Sequence, residues 1–182
     1  PFLSYSVIAV LGTWPLVTHL TTHLPDRFND AMLHSWNAWW VQEALQNGQF
    51  PYATTYLFYP SGVELVTHNF AWFDILPSLF LSQFFNTITT YNLAVLLNLM
   101  VCGVVAFWVA YKLVDDYRAA FLAGLIYMMW PYRVARLDLP NLVATFWIPL
   151  FILFLILTMK NGRYRDAIIA GICFALVGYA RW

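Results

Sequence analysis

The sequence predicts an all-α protein, a polytopic transmembrane helical bundle with interfacial amphipathic helices in a long first external loop. Three observations predict it. Hydrophobic residues make up 62% of the 182 residues and charged residues only 10%, against about 25% charged in soluble domains, so water cannot be faced on all sides. Mean hydropathy is +0.64, and apolar runs recur near the length of about 20 residues that crosses a bilayer. Residues 21–90 separate the first two of these runs, a distance far beyond the usual link between packed helices, and long ordered loops are usually functional.

In chain order, the runs place spans at about residues 2–20, 91–113, 118–131, 142–159 and 166–182. The second is the clearest. The third is short and ends at Pro131, and the fourth is strong despite Pro149. Small residues four apart, Ala120 with Gly124 and Gly171 with Ala175, would allow helices to approach closely. One apolar stretch, HNFAWFDILPSLFLSQFF (residues 68–85), carries Asp74 and Pro77 and could cross or lie flat. Basic residues favour the cytoplasmic side. If 68–85 does not cross, Lys112, Arg118, Lys160, Arg163 and Arg165 share one side, and Arg27, Arg133 and Arg136 lie opposite. That layout puts residues 21–90 outside as one loop.

The zero net charge leaves no basic field for nucleic acid. Cys102 and Cys173 sit in apolar runs and read as packing residues. Pro1 opens directly on an apolar run and Trp182 ends near another, which reads as the N-terminal part of a longer chain, without a signal peptide.

The chosen topology collects the polar chemistry on the external face. In FNDAMLHSWNAWW, residues 28–40, a helix starting near Asp30 would bring Asp30, His34 and Asn37 to one face and Met32, Trp36, Trp39 and Trp40 to another. The indoles would set the helix at the headgroup level. Asp30 reads either as a helix-terminal cap or as a working carboxylate. Glu64 and His68 stand four apart after a Pro-Ser-Gly turn signal and could pair on a helical turn. In WPYRVARLDLPN, residues 130–141, Arg133 and Arg136 could face the same way beside Asp138, as phosphate ligands or as snorkelling anchors. His19 and His23 have the spacing of a zinc helix, but HLTTH lacks the metalloprotease glutamate, so the pair reads as interfacial histidines and no metal site is assigned.

The order of these segments resembles a family. A first span, then DAMLHSWNAWW, NGQFPY and LFYPSGVEL, then a span pair closing on PYRVARLDLPNLVATFWIPL, is similar to the N-terminal module of GT-C superfamily membrane glycosyltransferases. It is most similar to bacterial members of the protein mannosyltransferase and aminoarabinose transferase type. The resemblance covers essentially the whole chain, as a pattern of order and spacing. It implies an integral protein of a bacterial-type plasma (inner) membrane, with its active site on the external or periplasmic face. It implies a sugar donor on polyprenyl phosphate and a glycan, lipid or protein acceptor. Asp30 falls where the family has its essential acid, after the first span. Ala31 stands where a second acid is often found, leaving Asp26, Glu64 or Asp138 as replacements.

The expected activity is inverting sugar transfer with Asp30 as catalytic base. His34, Asn37, Glu64, His68, Arg133, Arg136 and Asp138 are the expected substrate-binding residues. A phosphate leaving group needs no general acid, so no cofactor is required, though a divalent metal could assist. The alternative class is a non-catalytic multi-pass protein, such as a transporter or polysaccharide-export subunit, or an inactive relative. A transporter is expected to place ionisable groups near the bilayer midplane.

Overall fold

The computed structural model describes residues 1–25 and 30–180. Among these the chain is mostly helical. Helix α1 (Phe2–Gly12) is followed by a 3-10 turn at Leu16–His19. Next come α2 (Asp30–Gln46), a two-residue antiparallel ribbon of β1 (Ala53–Thr54) and β2 (Val63–Glu64), and α3 (Trp72–Leu81). Then come α4 (Thr87–Val114), α5 (Tyr117–Met128), the short α6 (Pro131–Ala135) and α7 (Pro140–Val143), α8 (Trp147–Asn161) and α9 (Tyr164–Tyr179).

Among the described residues, two segments are long and apolar enough to cross a membrane: α4, and Pro140–Asn161, which contains α7 and α8. At 1.5 Å per residue α4 is about 42 Å long, against a hydrocarbon core of about 30 Å. The other expected spans fold as shorter helices. The run at 2–20 gives only the 11 residues of α1 before Pro15 interrupts it. That at 118–131 gives the 12 residues of α5, and that at 166–182 falls on the 16-residue α9. Of the stretch 68–85, only the 10 residues of α3 are helical, about 15 Å, too short to cross alone.

The α4–α5 hairpin turns on two aspartates. Asp115 ends α4 in the left-handed conformation, and the Asp116 carboxylate accepts the Ala119 amide at 2.7 Å, starting α5. Asn86 caps α4 in the same way through the Thr89 amide. The Ala120/Gly124 stripe lies where α1, α4 and α5 meet. A Cβ on Gly124 would stand 2.2 Å from the Tyr5 hydroxyl and 2.6 Å from the Gly103 carbonyl, so only glycine permits this approach. Tyr5 is fully buried, stacks on Phe121 and donates to its carbonyl. Gly171 has open space around it and makes no such contact.

Two apolar clusters result. One joins α1, α4, α5 and the 131–146 segment through Tyr5, Tyr91, Leu99, Met128, Leu137 and Val143. The other lies inside the long loop between the first two apolar runs, with Trp40, Val41, Ala44, Leu65, Phe70 and Ile75. The second cluster corrects the expected aromatic anchor. Trp40 is 1% exposed, donates its indole N–H to the Pro51 carbonyl at 2.8 Å and stacks with Trp36. Trp39 meets Tyr56 edge-on. These rings bind the loop to itself, because it must bury apolar area to hold a fold of its own.

Candidate functional site

Asp30 is the first residue of α2, and its side chain is 35% exposed. His34 and Asn37 follow one and two turns later on the same face, as expected, but that face points inward: His34 is 3% exposed and Asn37 is fully buried. The buried amide of Asn37 organises the floor. Its Nδ2 donates to the Asn69 carbonyl at 3.0 Å, and its Oδ1 lies 2.7 Å from His68 Nε2. An amide oxygen can only accept, so His68 carries a proton on Nε2 and donates it there. Burial lowers the pKa of His68. It lowers that of His34 to about 4, helped by the nearby His68 and opposed by Asp138, so both imidazoles are neutral near pH 7.

Across from Asp30 stands Arg136. Helix α6 ends at Ala135, so Arg136 is already outside it, and the spacing that put Arg133 and Arg136 on one helical face does not apply. Arg136 Nη2 lies 3.2 Å from Asp30 Oδ2, while its Nε contacts both oxygens of Asp138 at 3.0 and 3.3 Å. The Asp138 side chain is only 2% exposed. The Arg136 pKa is raised, first by the hydrogen bond to Asp138, then by the Asp138, Tyr132 and Asp30 charges. Asp138 thus fixes Arg136 from below, and Arg136 meets the more accessible Asp30.

Arg133 goes elsewhere. It is 3% exposed, donates to the Tyr127 carbonyl, the Thr145 hydroxyl and the Leu142 carbonyl, and lies over the Tyr127 ring. It staples the end of α5 to the α7–α8 link, in place of the expected shared phosphate site. Glu64 is also apart. It is exposed on β2, beside a cavity of about 530 Å³ lined by Gln49, Phe50, Thr54 and Ser61. It shares no helical turn with His68. Asp26, the other candidate second acid, lies outside the described residues.

Leu137, between Arg136 and Asp138, lines an apolar groove of about 340 Å³ with Thr13, Pro15, Leu16, His19 and His23. The Leu137 carbonyl accepts the Tyr91 hydroxyl at 3.0 Å, which ties this wall to α4. Sequence reasoning did not assign a role to Asp74. It is 2% exposed on α3, within 3.3 Å of Asn98 on α4, and burial raises its pKa to about 7 against the opposing pull of Asn98. The amide of Asn98 inside the apolar run LAVLLNLMV was the available signal.

No family model, curated protein or solved structure matches this chain. Among the described residues, no group of three or more His, Cys, Asp or Glu is placed to hold a metal ion.

Proposed function

We propose that the chain is part of a polytopic integral membrane glycosyltransferase, with residues 21–90 outside the membrane. It transfers a sugar from a polyprenyl-phosphate donor to an acceptor hydroxyl on a glycan, lipid or protein, with inversion. The observation that carries this reading is the Arg136-Leu137-Asp138 segment. Its Arg136 is a cation held by a buried carboxylate, with the accessible carboxylate of Asp30 at 3.2 Å, and the next residue, Leu137, lines an apolar groove. A lipid-linked anion needs both surfaces together: an apolar wall for the chain and a guanidinium for the phosphate.

In the proposed step Asp30 takes the proton of the acceptor hydroxyl. That oxygen bonds to the anomeric carbon as the bond to the phosphate oxygen breaks. The polyprenyl phosphate leaves with the electron pair, and Arg136 balances its charge. His34 and Asn37 shape the base's side of the site, and His68 holds Asn37.

The transferase reading is tested with Asp30→Asn in the full-length protein, measuring sugar transfer in liposomes. Asparagine caps a helix as well as aspartate but cannot take the proton, so transfer should fall about 10²- to 10⁴-fold at equal expression. Transfer near the parent rate would make Asp30 a structural cap.

A further inference from the structure

The segment Thr18-His19-Leu20-Thr21-Thr22-His23 repeats a Thr-His pair four residues apart, at the mouth of the apolar groove. Backbone turns fix the spacing: the His23 amide donates to the His19 carbonyl at 3.0 Å. Each threonine hydroxyl lies 2.8 Å from Nδ1 of the histidine that follows it. The Thr18 hydroxyl gives its single proton to the Pro15 carbonyl at 2.7 Å. The Thr18 contact to His19 therefore needs a proton on Nδ1, which leaves Nε2 of neutral His19 with a bare lone pair. On both rings Nδ1 is occupied locally, and His23 offers the Nε2 lone pair in the tautomer that donates from Nδ1 to the Thr22 hydroxyl. Metal-bound histidines are held by the same arrangement, with the second ring nitrogen hydrogen-bonded to fix tautomer and orientation.

The ring spacing agrees. The His19 and His23 centroids are 4.8 Å apart. Two imidazoles bound through Nε2 to one tetrahedral ion, at about 2.0–2.1 Å, hold their centroids roughly 5 Å apart. Both histidines are exposed, so an ion can reach them.

We propose that His19 and His23 form a two-histidine site for a Zn²⁺-class transition-metal ion. The ion's remaining coordination positions are left to water or to an anionic oxygen at the groove. Imidazole donors select this class of ion over Mg²⁺ and Ca²⁺, which prefer oxygen. The site stands whether or not the transferase reading does, because it is read by binding alone.

The test uses the tag-free, detergent-purified full-length protein, with Zn²⁺ titrated against a chromophoric chelator and Co²⁺ followed by its visible absorption. One Zn²⁺ per chain should bind in the micromolar range, with Mg²⁺ unable to compete. Thr18→Val keeps both imidazoles and should weaken Zn²⁺ binding about tenfold or more, the usual effect of losing such a partner. The double variant His19→Asn/His23→Asn should lose the bound ion while melting at the parent temperature in metal-free buffer, since both side chains are exposed. No Zn²⁺ bound at about 100 µM, or the same affinity in the double variant, would overturn the proposal.

Discussion

Arg133 and Arg136 lie three residues apart on the same short segment, yet they meet opposite environments. Arg133 is 3% exposed, surrounded by the carbonyls of Tyr127 and Leu142, the Thr145 hydroxyl and the Tyr127 ring. Arg136 keeps a 22% exposed side chain and is divided between two carboxylates, one buried and one accessible. The first arrangement gives each of the three guanidinium nitrogens a partner in fixed parts of the fold. The second sets a charge opposite a carboxylate that solvent can reach. Charge type alone therefore does not separate an architectural arginine from one proposed to meet a ligand; the access of its partners does.

The largest expected effect is on the architectural side. Arg133→Met removes the donors while keeping much of the side-chain length. It leaves the buried acceptors unpaired, at about 1–3 kcal/mol for each one stranded. A chemical or thermal melt in detergent should show a loss of about 3 kcal/mol or more, with donor affinity retained in the folded fraction. Unchanged stability would mean that Arg133 is not the staple described above.

His34 should give the next effect. Its pKa is lowered to about 4 in the folded protein, against about 6.5 when unfolded. Below pH 6.5 the unfolded chain binds a proton that the folded chain refuses, so stability falls as pH drops from about 6.5 to about 4 and levels off below that. The group's contribution approaches about 3 kcal/mol. Asp74 works in the opposite sense. Its raised pKa, about 7, stabilises the folded state at low pH and loses that contribution as pH rises from about 4 to about 7. The measurement is therefore a difference, parent minus His34→Gln, followed from pH 7 to pH 4. A pH-independent difference would remove His34 from the buried floor.

Asp138→Asn should produce a smaller change. The amide can still hold Arg136 at one oxygen, but without the charge. Transfer should fall roughly tenfold, chiefly through donor KM, with the melt near that of the parent. Equal loss in Arg133 and Asp138 variants would erase the distinction between the two arginines. Topology is checked by single-cysteine labelling at Ser61→Cys and Thr87→Cys. Both positions are exposed, and the native Cys102 and Cys173 are buried, so background is low. Labelling of either from the cytoplasm only would place the cluster on the wrong side.

Much of the fold could be read from the sequence, but not its depth. The helix beginning at Asp30 was legible from periodicity, as was the closeness signalled by Ala120 and Gly124. Which way the Asp30–His34–Asn37 face points was not legible. Tryptophans suit both a lipid interface and a protein core, and here Trp40 found a carbonyl partner at Pro51. The pairing of Asp30 with Arg136 spans 106 residues, and no local pattern encodes it. The misplacement of Arg133 has a simple cause. The i, i+3 rule presumes a continuing helix, and α6 stops after five residues. His19 and His23 were read by spacing alone; their threonine partners were visible in the sequence, but the hydrogen bonds that direct the rings need coordinates.

The proposed site gives the donor phosphate to Arg136, and not to Arg133, beside Asp30. It is tested most directly by the affinity of the full-length protein for polyprenyl monophosphate in nanodiscs, compared between parent and Arg136→Gln. Arg136→Gln should bind at least tenfold more weakly in its folded fraction, the scale of one lost charge-assisted contact, and should melt lower because the buried Asp138 carboxylate loses its cation. A folded fraction that binds with the parent's affinity would overturn the assignment.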